Sequence, residues 1–401
     1  MHLEMPKKLK PFIEQANLVG REVFRPISRK YDTLEHTYPV ELDMLAAVMD
    51  GMNEGGELGA GAGQLKKEKK RKGDGIRNGS NMSTVLGLTE LCWGDVGLAL
   101  TIPRQGLGNA AIAAVANEEQ LKRYKGCWAA MAITEPAAGS DSGSIKATAI
   151  PDGDYYVLNG EKIFITAGER ADIVVVWASV DPSAGRAAIK SFAVKKGTPG
   201  MRLERLEHKL GIRASDTATI VFEDCRVHKD DLLGSPEVNT KAGFGGVMET
   251  FDNTRPVVAA MALGVGRASL EKTRELFQKA GIPLDYQNSY FNTRTVESEL
   301  YRMEAELEAA RLLTIKAAWM ADNGIPNAKE ASMAKAKAAR VASDITLKAV
   351  EMAGTTGYSE ETLLEKWARD SKILDIFEGT QQIQQLIVAR RVLGLSSAEL
   401  K

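Results

Sequence analysis

Apolar positions along this chain change period twice. Over residues 9–50 they recur at roughly helical intervals, at Phe12, Ile13, Leu18 and Val19 and again at Leu42, Leu45, Ala46 and Val48, with Pro26 and Pro39 as punctuation. Helical spacing returns over 82–100 and 108–116, and Asn117-Glu-Glu-Gln120 reads as a cap opening a short helix toward Tyr124. After Gly126 the period shortens. Residues 129–134 predict an apolar strand, 155–166 a hairpin turned at Asn159-Gly160, and 172–178, 191–195 and 218–222 further strands. From about Ala242 the helical period resumes. Residues 257–280 are rich in Ala, Leu and Val, and Leu300, Met303, Leu307, Ala310 and Leu313 share one face. Residues 328–352 carry another face, which ends at Gly354 and Gly357, both suited to a helix C-cap. The expected order is a helical domain over 1–125, a β domain over 126–236 and a helical bundle over 237–401.

Composition narrows the function. The 401 residues are 44% hydrophobic and 26% charged with a net charge of −1, so no global field draws the chain to nucleic acid or to a membrane. Within a glycine-rich stretch over 51–79, the run at 66–72 holds six basic residues. No aromatics interleave it, which favours a solvated loop over a nucleic-acid patch. The three cysteines (Cys92, Cys127, Cys225) have no metal-ligand spacing and suggest reduced thiols. His2, His36, His208 and His228 form no ligand pair along the chain, so no metal site is expected. The first residues lack an apolar targeting segment, and no apolar run is long enough to span a bilayer. A soluble, cytoplasmic protein is expected.

Two stretches carry candidate chemistry. In Phe377-Glu378-Gly379-Thr380-Gln381-Gln382 a carboxylate stands directly before glycine, where backbone can approach a ligand, and is flanked by Ile376 and Phe377. Such an apolar wall would desolvate Glu378 and raise its pKa toward the range of a base at neutral pH. From this stretch alone the same carboxylate reads more readily as an acidic residue favoured by a helix N-terminus, since apolar spacing resumes at Ile383, Leu386 and Ile387. The loop 134–141 leaves a strand with the hydroxyls of Thr134 and Ser140 and several backbone N–H groups, a setting for an anion or a carbonyl-bearing ring, or simply a turn. Neither a nucleophile-elbow serine nor a glycine-rich dinucleotide fingerprint is present.

Taken together, five segments resemble the acyl-CoA dehydrogenase family, in order and over nearly the whole chain. They are Met131-Ala-Ile-Thr-Glu-Pro-Ala-Ala-Gly-Ser-Asp141, residues 160–166, residues 209–217 with 222–227, Phe251-Asp-Asn-Thr-Arg-Pro256, and residues 369–380. The resemblance implies an α+β fold with an N-terminal helical domain, a middle β-barrel or sandwich, and a C-terminal antiparallel four-helix bundle. It implies an FAD-dependent oxidation of an acyl-CoA thioester to the trans-2-enoyl-CoA in fatty acid β-oxidation, with electrons passed to an electron-transferring flavoprotein. Glu378 would be the α-proton base. Met131, Ile133, Thr134, Ser140, Phe164, Ile165, Thr166, Thr380 and Gln382 would lie along the flavin, with Ser140, Asp252, Arg255 and Gly379 at the substrate. Phe164 stands where many members have tryptophan.

The chain departs from the family at the cofactor's far end. Where a neighbouring subunit would supply an arginine and a glutamine-glycine segment to the FAD pyrophosphate, this sequence has Pro283, Tyr286, Glu351 and Thr355, with Arg294 as a possible substitute. The expected assembly is either a homotetramer or dimer, or a two-plus-two heterotetramer with a related chain that donates those groups. Other activities on the same scaffold are an acyl-CoA oxidase or flavin monooxygenase, or a non-catalytic partner subunit.

Overall fold

Continuous apolar runs and one-sided apolar stripes fold into different parts of the molecule. The computed structural model describes residues 6–54, 78–104, 106–238, 245–396 and 399, with side chains for all of these except 48–54, 245–253 and 290. The basic run at 66–72 lies outside the described residues. Helix α1 (Lys10–Val19) continues through a π-helical turn (Gly20–Phe24) into α2 (Arg25–Thr33), followed by α3 (Glu41–Glu54), α4 (Ser80–Gly94), α5 (Val96–Ala99), α6 (Leu107–Val115) and α7 (Glu118–Arg123). The predicted cap of α7 is present in full. Asn117 Oδ1 accepts from the Gln120 N–H at 2.9 Å, and Gln120 Oε1 accepts from the Asn117 N–H at 3.1 Å.

Seven strands follow: β1 (Ala129–Ala132), β2 (Thr148–Asp152), β3 (Tyr155–Thr166), β4 (Ile173–Ser179), β5 (Ile189–Lys195), β6 (Met201–Leu206) and β7 (Thr217–His228). They form one sheet in the order β1-β4-β2-β3-β7-β6, with β5 also paired to β4. Every residue of β4 is buried. Its alternate side chains Val174 and Val176 enter a core shared with β1, β3, β5 and β7, while Ile173 and Val175 pack with Ala111 and Ile112 of α6. That two-sided burial is why this strand reads as an unbroken apolar run.

The predicted hairpin at Asn159-Gly160 is not there. β3 runs straight through these residues, and the turn that joins β2 to β3 lies at residues 153–154. At Asn159-Gly160 the register against β7 shifts instead, as a bulge. Asn159 exchanges hydrogen bonds with Asp224 of β7, whose N–H donates to Asn159 Oδ1 at 2.8 Å. Gly160 has φ 146°, and a Cβ there would stand 2.7 Å from the Ala147 Cβ, so glycine serves close approach rather than a turn.

The C-terminal part contains α8 (Gly245–Lys279), α9 (Thr295–Asp322), α10 (Ala328–Ala353), α11 (Thr355–Tyr358), α12 (Leu364–Leu374) and α13 (Gln381–Leu393). α10 packs against α8, α9, α12 and α13, and α8 also packs against α4. Fully buried Ala334, Ala338, Ala339 and Ala342 let α10 approach its neighbours closely, in a core that Phe24, Leu42 and Leu98 share with Leu364, Trp367 and Leu374. Gly354 caps α10 with φ 58°, as predicted. Gly357 is no cap. It is buried in α11, where a Cβ would meet the Val350 carbonyl at 2.6 Å.

Charged groups on α12 tie the parts together. Lys366 is fully buried and donates to Asp95 at 2.7 Å and Asp370 at 2.5 Å; both carboxylates hold its pKa up. Asp370 Oδ1 accepts the Ile212 N–H from the loop between β6 and β7 at 2.5 Å. Arg369 reaches Asp32 at the end of α2 at 2.6 Å and the Leu210 carbonyl at 3.0 Å. The guanidinium of Arg25 lies between the rings of Trp93 and Trp367, 4.1 and 4.5 Å from their centroids. No helix among the described residues is long and apolar enough to cross a membrane.

Candidate active site

The stretch between α12 and α13 is shaped by two successive residues with left-handed backbone. Gly379 takes φ 92°, and Glu378 takes φ 57°, which costs energy for a non-glycine residue and marks a conformation imposed by its surroundings. Thr380 then caps α13, its hydroxyl accepting from the Ile383 N–H at 3.4 Å. Gln384 faces back and donates its amide to the carbonyls of Glu378 and Gly379 at 3.0 and 3.1 Å. Glycine suits 379, where φ 92° would strain any other residue and a Cβ would also push on the Gln384 amide, 2.5 Å away.

Glu378 is half-buried, and burial pushes its carboxyl above the usual carboxylate range. Opposing that shift are the Thr254 hydroxyl, which donates to Glu378 Oε2 at 2.6 Å, and the positive charges of Arg255 and Lys335. Thr254 and Arg255 project from α8 and are both buried. The expected apolar wall is different from the sequence reading. Ile376 is 48% exposed and Phe377 packs into the helical core, so desolvation comes from the packing of α8 and α10 around the loop rather than from both neighbours in sequence.

Lys335 of α10 is the residue that sequence reasoning missed. It is fully buried and donates to the Gly379 carbonyl at 2.7 Å, and burial lowers its pKa to about 8 against the pull of Asp375 and Glu378. Its signal was present: a lysine among Ala331, Ala334, Ala338 and Ala342 on an apolar helical stripe is a cation with a partner to find.

The remaining predicted residues fall on other elements. Met131 is in β1, with Ile133 and Thr134 just beyond it, and the Thr134 carbonyl accepts the Ile163 N–H from β3 at 2.9 Å, which joins this loop to the 164–166 segment. Below them Glu135 and Lys162 form a buried ion pair at 2.7 Å. The same carboxylate accepts the N–H groups of Lys146 and Ala147, which pins the loop that contains Ser140. Ser140 itself is exposed. Phe164 stands out from β3 at a second register shift, 61% exposed with φ 56°. Ile165 turns inward and is 1% exposed, so only its backbone can meet a ligand; Thr166 pairs with Thr217. Gly379, Arg255 and Glu378 are thus assembled together with Thr254 and Lys335, whereas Met131 to Thr166 form a separate group on the sheet. Thr380 and the exposed Gln382 open α13. Asp252 lies in α8 with its side chain outside the described residues.

The residues on the sheet fit a planar aromatic group. Phe164 offers an exposed aromatic side chain held in strained backbone at a bulge, and the neighbouring strand end leads into a loop fixed by a buried ion pair. Two of the positions that depart from the family motif, Tyr286 and Glu351, pair within the chain, and the backbone of Arg294 is bonded at the start of α9. The Tyr286 hydroxyl donates to Glu304 at 2.9 Å, Lys348 donates to Glu351 at 2.7 Å, and the Arg294 N–H at the start of α9 donates to Glu297 at 2.9 Å.

Comparison with known proteins gives a consistent result. The model of the acyl-CoA dehydrogenase middle domain matches residues 130–225, and that of the acyl-CoA dehydrogenase C-terminal domain matches 241–393. The short-chain specific acyl-CoA dehydrogenase of Rattus norvegicus mitochondria is 41% identical over 271 residues, 67% of this chain. The match spans only 63% of that relative's length. The short-chain specific acyl-CoA dehydrogenase of Clostridium acetobutylicum is 37% identical over 263 residues, 66% of this chain and 68% of the relative. Among solved structures, butyryl-CoA dehydrogenase from Megasphaera elsdenii superposes with a TM-score of 0.84 at 31% identity, covering 98% of this chain and 100% of the other.

Proposed function

Because the chain belongs to the acyl-CoA dehydrogenase family, we propose that it oxidises an acyl thioester of coenzyme A between its α and β carbons, giving the trans-2-enoyl thioester. The observation that carries this reading is the carboxyl of Glu378, raised by burial and set directly before Gly379 in strained backbone. A base for an α proton must be ionised at working pH yet basic enough to take that proton, and partial burial with two nearby cations supplies both conditions. The Thr254 hydroxyl occupies Oε2, so Oε1 is the oxygen assigned to receive the proton. FAD, when bound, supplies the acceptor for the β hydrogen as hydride. Met131, Ile133, Thr134, Ser140, Phe164, Ile165, Thr166, Thr380 and Gln382 would hold it. Arg255, Asp252, Gly379 and Ser140 would hold the thioester and its coenzyme A, with the N–H of Glu378 donating to the thioester oxygen as charge builds there.

The printed names of the relatives make a short acyl group, such as butyryl, the first substrate to test. Electrons would leave to an electron-transferring flavoprotein, and the unpaired thiols of Cys92, Cys127 and Cys225 favour a reducing compartment such as the cytoplasm. For the cofactor's far end, where this chain has Pro283, Tyr286, Glu351 and Thr355, the assembly is either a homotetramer or dimer in which Arg294 takes the missing role, or a heterotetramer whose related chain donates the arginine. The test is anaerobic mixing of FAD-loaded protein with butyryl-CoA while flavin bleaching is followed. Glu378→Gln should retain FAD and slow bleaching by about 10²–10⁴-fold. Equal bleaching by both proteins would remove Glu378 from the role of base.

A further inference from the structure

Two of the four histidines meet where the turn after α2 faces the loop between β6 and β7. One ligand atom from each of Glu35, His36 and His208 lies within 4.8 Å of the others, the one such grouping of histidine, cysteine and carboxylate among the described residues. Spacing along the sequence cannot show it, because the two histidines belong to different parts of the fold.

Three features of this grouping point to an ion. Both ring nitrogens of His36 are closed off from solvent without a hydrogen-bond partner, although a neutral imidazole carries one donor and one acceptor. His36 also takes φ 70°, so the chain holds this ring in place at a backbone cost. The second feature is distance. The His36 and His208 ring centroids are 5.0 Å apart at 61° between planes. Two imidazoles on one tetrahedral ion, with bonds of about 2.0–2.1 Å, put their centroids roughly 5 Å apart. His208 Nδ1 lies 3.0 Å from Glu35 Oε2, close to the edge of roughly 3.3 Å in a tetrahedron with such bonds. The third is orientation. The Lys209 N–H donates to the other Glu35 oxygen at 2.9 Å and aims Oε2 at the histidines, as outer partners do for metal ligands.

The neighbouring cations have partners of their own, although the Lys209 charge still reaches Glu35 and His36. The Lys209 ammonium donates to the Ser215 carbonyl at 2.8 Å. The Arg170 guanidinium sits 3.5 Å from Asp216 and over the Tyr38 ring, and it reaches the site only through the His36 carbonyl at 3.2 Å. Glu169 adds a further carboxylate nearby.

We propose that Glu35, His36 and His208 form a binding site for a late first-row divalent ion, foremost Zn(II), with water at a fourth position. Two imidazoles favour zinc, nickel or cobalt over magnesium and calcium, which take oxygen shells. The ion would join the N-terminal helices to the loop that Arg369 and Asp370 of α12 already hold at Leu210 and Ile212. Its role is that of a staple between modules, independent of the proposed oxidation.

The full chain, stripped with chelator, would be titrated with Co(II) as the spectroscopic probe and with Zn(II) by calorimetry. One Co(II) per chain with the visible bands of a tetrahedral site, displacement by Zn(II), and a rise in melting temperature on loading are expected, with no response to Mg(II). His208→Gln, at a side chain that is 84% exposed, and His36→Gln should both abolish the bands and the temperature rise. Absence of saturable binding, or bands that persist in both variants, overturns the site.

Discussion

Replacing Lys335 with methionine keeps most of its buried stem and removes the ammonium that faces Glu378. The lysine is charged below its pKa of about 8, and its charge pulls the Glu378 pKa down. Without it the carboxyl rises further, so the acid limb of the pH–rate profile under saturating substrate should move to higher pH in Lys335→Met. A merely structural lysine would lower the rate without moving the limb. Stability offers a second readout. The folded pKa lies below the ordinary 10.5, so between about 8 and 10.5 the unfolded chain keeps a proton that the folded chain has lost. Wild-type stability should therefore rise with pH relative to Lys335→Met across that window, as urea unfolding would show. At this scale the sequence was partly legible. Glu378-Gly379 declares itself as a carboxylate beside a glycine, but its desolvation depends on Thr254, Arg255 and Lys335, which reach it from two other helices.

Strand β3 shows what periodicity can and cannot say about an element. β1, β4, β5 and β7 were readable because their apolar residues are buried in the sheet core. β6 carries Arg202, Glu204 and Arg205 on a largely exposed strand, and β2 contains Pro151, so neither has a pattern that separates it from loop. Asn-Gly is a strong turn signal in isolation, yet here the pairing of Asn159 with Asp224 and the approach of Ala147 to Gly160 keep the strand running. Tertiary contact decided between two conformations that the dipeptide allows. Gly160→Ala should accordingly destabilise the protein by about 1–3 kcal/mol through overpacking against Ala147. A lower denaturant midpoint at unchanged slope would register it, whereas a turn glycine away from contacts would show much less.

For the whole molecule, the order helices, sheet, helices was legible, and the joints were not. Lys366 and Asp370 lie one helical turn apart on α12, but Asp95 is 271 positions away from Lys366, and all three look like ordinary surface charges until the fold buries them together. Lys366→Met strands two buried carboxylates and should cost about 3–5 kcal/mol, measured as a loss in unfolding free energy of the full chain. Arg369 and Asp32, 337 positions apart, make the same joint from the other side. This has a consequence for how the protein comes into being. A ribosome delivers the sheet and the first helices well before α12, and domains tend to fold in that order. Until α12 emerges, Asp95 has no Lys366 and the loop at Ile212 has no Asp370. Glu378 follows only four residues behind the end of that helix, so one segment, made after the sheet and the first helices, would both lock the modules and complete the candidate site. A nascent chain would thus acquire its rigidity and its base in a single late event.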